Sequence, residues 1–339
     1  MTKENDPHDL ALARTNLNAT EAARLEGFLE SNPSDLIART KLLGYYMQRS
    51  FTDDDARQRK AVHCLWIIRH RPEAEIAGLP FCHIERVLDA ASYRKAKSLW
   101  DKQIKRYSDE TTVLSNAAHF YSMEDPRSSI ALLKRLQKLE PRNPEWKDRL
   151  GHLYHLQSHR VPGGRRNKAA AKHALEQWET ALRLLQTGQE RFYLLTSLAP
   201  VAVDAGRLRK AVDYANELLR QARKFRGDWN QGNAIHHAHI ALGRVALRGK
   251  RMQNAKKHLI ASAKIKGSPQ LDSFGPSQDL AAELLARGEA KTVIRYLELC
   301  RKFWAMGQPQ IDAWTKSIRE SGKTDFFPVF DPKIVKTVG

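Results

Sequence analysis

Apolar residues recur three and four positions apart along most of the chain, which is the period of an amphipathic α-helix. The segment around Leu42, Leu43, Tyr46 and Met47 shows this period clearly. Short breaks rich in Asp, Gly and Pro separate the helical segments and favour turns between them. No stretch alternates apolar and polar residues as a half-buried strand does. The pattern therefore predicts an all-α fold of consecutive helix pairs.

The clearest helix pair spans residues 234–267. Its first helix carries the motif L-G-x2-A, in which the glycine is Gly243. Its second helix carries the motif A-x3-L-x2-S, which begins at Ala255, twelve residues after Gly243. Gly249 marks the turn, and small side chains at Ala255 and Ser262 let the helices approach closely. This spacing resembles the tetratricopeptide repeat, whose pattern is W-x2-L-G-x2-Y followed by A-x3-F-x2-A. Ser262 stands where that family usually has Ala.

Weaker copies of the pattern cover roughly residues 20–305. Ala117 maps onto Gly151 at the family's spacing of 34 residues, whereas Ala199 maps onto Gly243 at 44. The resemblance implies a right-handed α-α superhelix, a TPR-like solenoid, of about seven to eight helix pairs. Some segments also look like uncharacterised bacterial proteins with such repeats, a likeness that implies no activity.

The domain prediction follows from this pattern. Residues 1–18 are polar and predicted to be flexible, residues 19–320 form the TPR-like repeat domain, and residues 321–339 form a tail whose phenylalanines we expect to dock on the last helices. Within the repeat domain, residues 79–107 predict a weaker helix pair and residues 309–320 a terminal capping helix.

A basic insertion interrupts one helix pair at residues 158–168. Gly151 to Ala174 spans 23 residues where the repeat expects twelve. Insertions in repeat arrays tend to fall on one face, often the binding face, so the insertion is a candidate polyanion-binding loop. A solvated connector is the alternative, and the sequence leaves both open. The candidate polyanion-binding residues are Arg160, Arg165, Arg166 and Lys168.

The net charge is +19, from 57 Lys and Arg against 38 Asp and Glu. A field of this sign favours RNA or another polyanion as partner, although basic residues coating many helix faces would give the same total. No apolar run reaches transmembrane length and the N-terminus has no signal-peptide core, which favours a cytoplasmic location. The three cysteines lie far apart in sequence, so we expect free buried thiols.

The least repeat-like stretch surrounds three histidines near residue 237. In tetratricopeptide arrays the first helices line a concave groove, so the resemblance places His237 and Arg244 near it. A polar pocket for a peptide or small anion could form there, although hydrogen bonding between repeats is the simpler explanation. The candidate partner-binding residues are Asn233, His236, His237, Arg244, Gln270 and Asp272. A metal site is disfavoured because adjacent His236 and His237 diverge by about 100° on a helix.

Catalytic motifs are missing from the sequence. It contains no G-x-S-x-G, no G-x4-G-K-[ST] and no dinucleotide-binding glycine pattern. The Lys and Asn clamp with which some tetratricopeptide proteins grip a C-terminal carboxylate is also absent from the matching positions. We therefore expect a non-catalytic scaffold without a cofactor, which binds a protein segment in its concave groove. The alternatives are binding of RNA or another polyanion, and a His-lined site for a small ligand or metal.

Overall fold

The computed structural model describes residues 6–159 and 166–326. Over these ranges the chain forms seventeen α-helices and no strand, which confirms the predicted all-α class. None of the described helices combines the length and the apolar character needed to cross a bilayer. The chain divides into two compact units, Met1–Leu150 and Gly151–Gly339.

The first unit contains two short stretches of 3-10 helix between its fourth and fifth α-helices. Consecutive helices pack on each other, as α3 does on α4 and α6 on α7. The helices are α1 (Pro7–Leu12), α2 (Ala19–Ser31), α3 (Leu36–Arg49), α4 (Asp54–His70), α5 (Ala90–Arg106), α6 (Thr111–Glu124), α7 (Pro126–Leu139) and α8 (Pro144–His159), in which the boundary to the second unit falls.

The N-terminal segment is helical where the sequence predicts flexibility. The Asp6 carboxylate caps α1 by accepting hydrogen bonds from the backbone N–H of His8 (2.8 Å) and Asp9 (3.1 Å). Ala11 is fully buried against α3, where Gly44 leaves no space for a β-carbon. This contact could not be predicted from the polar composition of the segment, because it depends on two small residues, Ala11 in α1 and Gly44 in α3.

The predicted helix pair at residues 79–107 forms only its second helix, α5. In place of a first helix the chain makes two 3-10 turns, Glu75–Gly78 and Pro80–Cys82, because Gly78 and Pro80 interrupt any longer helix. The Asn116 side-chain amide holds this segment by donating to the carbonyl oxygens of Pro72 and Ala74, both at 2.9 Å. As a result α4 packs directly against α5.

The second unit repeats one packing scheme. Successive first helices contact one another, α10 with α12 and α12 with α15, and each also packs against the helix that follows it. The predicted pair at residues 234–267 is present as α12 and α13. The helices are the rest of α8, then α9 (Lys168–Leu184), α10 (Gly188–Asp204), α11 (Leu208–Lys224), α12 (Gln231–Arg248), α13 (Met252–Ser262), α14 (Pro269–Phe274), α15 (Asp279–Leu285), α16 (Ala290–Cys300) and α17 (Gln308–Ser321).

The end of the described chain returns to α17, the predicted capping helix. The Trp314 indole N–H donates to the carbonyl oxygen of Asp325 at 3.1 Å, and the Phe326 ring packs edge-on against the Trp314 ring at 5.1 Å. The other two tail phenylalanines, Phe327 and Phe330, lie outside the described residues, so their predicted docking stays a prediction.

The repeat glycine Gly151 marks a close approach between α8 and α9. A β-carbon at this position would lie 2.5 Å from Nε1 and 2.6 Å from Cδ1 of the Trp178 indole. Trp178 is fully buried, so its rigid ring has no open space to move into. The absence of a side chain at Gly151 is therefore what allows these two helices to pack at this distance.

We predict that Gly151→Ala lowers the free energy of unfolding by about 1–3 kcal/mol, because overpacking against Trp178 outweighs the helix propensity that Ala gains. Gly27→Ala is the matched control, since no atom lies within 4 Å of its added β-carbon in α2. It should raise the free energy of unfolding by about 0.5–1 kcal/mol. Thermal melts of both variants measure the difference, and equal midpoints would contradict the packing explanation.

Candidate functional site

Helix α12 carries four of the six predicted partner-binding residues and packs against α10, α11, α13 and α15. Its polar side chains fall into two groups. One lies at its N-terminal end and consists of amides and histidines. The other lies near its C-terminal end and is ionic. Each group is bonded to helices or loops that are distant in sequence.

Asn233 on α12 and Gln270 on α14 are hydrogen-bonded to each other. The Asn233 side chain is buried, and its Nδ2 donates to Oε1 of Gln270 at 2.6 Å. Its Oδ1 accepts a bond from the hydroxyl of Ser268 at 2.7 Å. Asp272, on the same short helix as Gln270, accepts a bond from the backbone N–H of Ala305 at 3.0 Å. The two Asn233 contacts hold α14 and the loop before it against α12, and the Asp272 contact ties α14 to the segment after α16.

His236 is fully buried, and both of its ring nitrogens have partners. Nδ1 lies 3.0 Å from the carbonyl oxygen of Ser262, to which it must donate. Nε2 lies 2.9 Å from the backbone N–H of Ser277, from which it must accept. This pair of contacts fixes one neutral tautomer. Burial, with smaller contributions from nearby groups, lowers the pKa of His236 to about 3.

His237 and His155 form the partly exposed edge of the same region. The His237 ring packs edge-on against His236, with centroids 5.2 Å apart, and burial lowers its pKa to about 4. Burial lowers the pKa of His155, on α8, to about 4 as well, and Arg166 and His237 contribute to the shift. Among the described residues, His155 Nδ1 is buried without a hydrogen-bond partner. Both imidazoles are therefore neutral near pH 7.

The ionic group centres on Arg244, whose side chain is only 4% exposed. Its Nη2 donates to Oδ1 of Asp204 at 2.7 Å, from the end of α10. Its Nε donates to Oε1 of Glu283 at 2.9 Å, and Nη1 lies 3.6 Å from Oδ2 of Asp279, both on α15. One guanidinium thus joins the ends of three successive first helices.

Two further arginines complete the ionic group. Arg166 pairs with Asp279 and lies 4.0 Å from Asp204, and Arg248 pairs with Glu283. The group therefore holds three guanidinium groups against three carboxylates and is neutral as a whole. Such balance is what makes burial of this many charges tolerable.

The pKa values within the ionic group follow from burial and pairing. Burial raises the pKa of Asp204, and this effect exceeds the opposing attraction of Arg244. Burial also acts to raise the pKa of Asp279, but Arg244 and Arg166 outweigh it and lower the value below that of a free Asp. For Arg244, burial acts to lower the pKa, and the three carboxylates overcome it and raise the pKa above its usual value.

The predicted polyanion-binding residues are only partly described. Arg160 and Arg165 lie outside the described residues. Arg166 is occupied by Asp279 and Asp204, as described above, and Lys168 is exposed at the start of α9. Of this predicted set, the structure thus places one arginine in the ionic group of the second unit.

The predicted histidine cluster does not converge on one point. His236 bonds to Ser262 and Ser277, whereas Nδ1 of His239 lies 3.1 Å from Nδ1 of His258, so that one of those two nitrogens must donate to the other. The carboxylates of the ionic group and His155 are not among the residues that the sequence pattern predicts for the site. One signal was available for Asp204: an Asp within the apolar segment LAPVAVDAG is seldom buried unless it is paired.

A scan against protein-family models finds no match for the chain, and a search of curated proteins also finds none. Function must therefore be inferred from the fold and from the contacts described above.

We predict that the chain loses stability as the pH falls from about 6.5 to about 4. The unfolded chain protonates its histidines near pH 6.5, whereas His236, His237 and His155 stay neutral in the folded state down to about pH 4 or below. Protons are then bound preferentially by the unfolded chain, so the free energy of unfolding falls by about 1.4 kcal/mol per pH unit for each such histidine. Denaturant titrations at several pH values measure this slope.

His236→Asn is the control for this pH dependence. It should be less stable than the wild type near pH 7, because it loses the bond from Ser277, but its stability should fall less steeply with acid. An unchanged slope would show that His236 does not contribute to the pH dependence.

We predict that Arg244→Gln destabilises the chain by about 3–5 kcal/mol, since it leaves buried carboxylates without a counter-charge. Arg248→Gln is the matched control, because it removes a guanidinium that pairs with the same Glu283 but is 36% exposed. We expect it to cost at most about 1 kcal/mol. Thermal melts near pH 7 compare the two, and similar losses would refute the dominant role given to Arg244.

Proposed function

We propose that the chain is a non-catalytic, TPR-like interaction scaffold, a right-handed superhelix of about seven to eight helix pairs. Its second unit binds a segment of a partner protein along the first helices α10, α12 and α15. The helix-on-helix packing of that unit supports the proposal, because each pair buries its apolar face against the next one. Stacked first helices present an extended surface to a partner, as in other repeat proteins of this kind.

One observation carries the proposal: charged ends of three first helices meet in the ionic group, with polar groups that remain partly exposed beside it. Arg244 holds those helices in register from the interior. His237, His155 and Arg166 stand at the edge of the same region. A surface fixed in this way loses little freedom on binding, which favours affinity. In this proposal Arg244, His236 and Asn233 position the surface, and the exposed groups contact the partner.

The chemistry of these exposed groups indicates what the partner segment offers. The neutral ring of His237 donates and accepts single hydrogen bonds, whereas the buried Nδ1 atom of His155 is out of reach of a partner. Arg166 is already paired with carboxylates, so little net positive charge remains at this point. The surface therefore suits a polar peptide segment with amide and hydroxyl groups. It suits a highly charged ligand less well.

Binding of RNA or another polyanion is the second candidate function, and the net charge of +19 favours it. The dependence of binding on salt separates the two. Polyanion binding should weaken by orders of magnitude between about 50 and 200 mM salt, because counterions are released on binding. Recognition of a polar, nearly uncharged segment through His237 should change little over the same range.

We predict that His237→Ala weakens peptide binding by about tenfold, as loss of a central contact does. Peptides selected on the full chain from a displayed random library provide the probe, and fluorescence anisotropy gives their dissociation constants. His173→Ala is the control, since His173 is an exposed histidine on α9 whose described contacts are with Glu176 and Tyr154. Selected peptides that bind both variants as tightly as the wild type would refute the proposed site, and failure to select any peptide would refute the scaffold function itself.

A further inference from the structure

A groove of about 710 Å³ runs between α4 and α5 in the first unit. All of its lining residues belong to these two helices. The helices are parallel, because the Gln58 amide near the start of α4 donates to the N-cap carboxylate of α5, Asp89, at 3.0 Å. At the other end, Gln103 of α5 donates to the carbonyl oxygens of Ile68 (2.9 Å) and Arg69 (2.8 Å). Hydrogen bonds thus join the two helices at both ends of the groove, so the groove exists before any partner binds.

The floor of the groove is apolar and open to solvent. The residues of α4 that line it fall at positions i, i+3 and i+4, a second stripe beside the one that α4 buries in the core. Val62, on this second stripe, is 61% exposed. The apolar floor consists of Val62, Leu65, Trp66 and Leu99.

The charged residues at the rim of the groove are all cationic. No described carboxylate lines it, and its four cations are exposed: Arg69, Arg94, Lys95 and Lys102. Within the described part of this unit, none of the four has a carboxylate within ion-pair distance. Two nearby cations outside the groove are paired: Lys97 with Asp125 at 2.7 Å, and Arg59 with Asp55 at 2.8 Å. The groove thus combines an apolar floor with four cations that no described carboxylate neutralises.

The aromatic residue of the floor is not available as a stacking platform. The guanidinium of Arg39 lies over the Trp66 ring at 4.0 Å from its centroid, and the His70 ring packs against it at 4.8 Å. Base stacking on an open aromatic face is what single-stranded nucleic acids require from such a residue. An apolar floor with a cationic rim instead matches an amphipathic helix with acidic flanks.

We propose that the groove between α4 and α5 binds a short acidic amphipathic helix of a partner protein. Leucine- or phenylalanine-like side chains pack on Val62, Leu65 and Leu99. Asp and Glu side chains on the flanks of that helix pair with the cations of the rim. The parts of α4 and α5 that line the groove are long enough to bind about ten residues of a partner helix, or ~15 Å. This site lies in the first unit and on different helices from the surface proposed for the partner segment, so either can fail without the other.

The test is a titration of the full chain with a fluorescein-labelled synthetic peptide of about ten residues, with Leu at i, i+3, i+4 and i+7 and Glu elsewhere. A peptide of the same composition with the leucines scattered around the helix is the matched ligand control. We expect the amphipathic peptide to bind and the scattered one to bind at least about tenfold more weakly, because only the first can bury its apolar side chains while its charges face the rim. Equal binding of both peptides, or of neither, would overturn the proposal.

Two pairs of variants locate the binding. Lys95→Glu reverses a rim charge and should weaken binding about tenfold, whereas Lys134→Glu makes the same charge change on α7 and should leave it within about twofold. Val62→Gln should weaken binding several-fold, and Met123→Gln, at an exposed apolar residue on α6, should not. Circular dichroism verifies folding. If a single-stranded RNA oligonucleotide binds more tightly than the amphipathic peptide, Lys95→Glu weakens both ligands, and Val62→Gln weakens neither, the groove is a polyanion site and the proposal fails.

Discussion

The second unit depends on a guanidinium that lies almost entirely out of water. Arg244 can be buried only while the carboxylates of Asp204, Asp279 and Glu283 stand around it. Those carboxylates come from α10 and α15, so three first helices must meet in a single register. A cluster of apolar side chains could fill the same space with comparable stability, but it would tolerate sliding between helices. We therefore attribute specificity of register to the ionic group.

The same constraint decides which groups carry charge at this surface. Arginines and carboxylates neutralise one another in the interior, and the adjacent His236 is held neutral by one donated and one accepted hydrogen bond. The groove in the first unit shows the opposite arrangement, with exposed cations such as Arg94 and Lys102 that have no described carboxylate nearby. The two units therefore offer chemically different surfaces, one polar and nearly neutral, the other apolar and cationic.

Much of the helical framework could be predicted from local pattern. The period of three and four and the small residues of the 234–267 pair act between neighbours in sequence, and the structure contains both elements. The ionic group could not be predicted in this way, because Asp204 and Arg244 are 40 residues apart and no repeat register aligns them. The 3-10 turns were missed for a related reason: Asn116 stabilises them from over 40 residues away.

The three thiols of the chain are free and buried, as the sequence predicts, with Cys64 and Cys82 in the first unit and Cys300 in the second. Oxidants and alkylating reagents reach a thiol only when the surrounding helices separate. Burial also raises the pKa of Cys300 to about 12, so little reactive thiolate exists while the unit stays closed. The rate at which these thiols are oxidised or alkylated is therefore limited by transient opening of the helices that surround each of them.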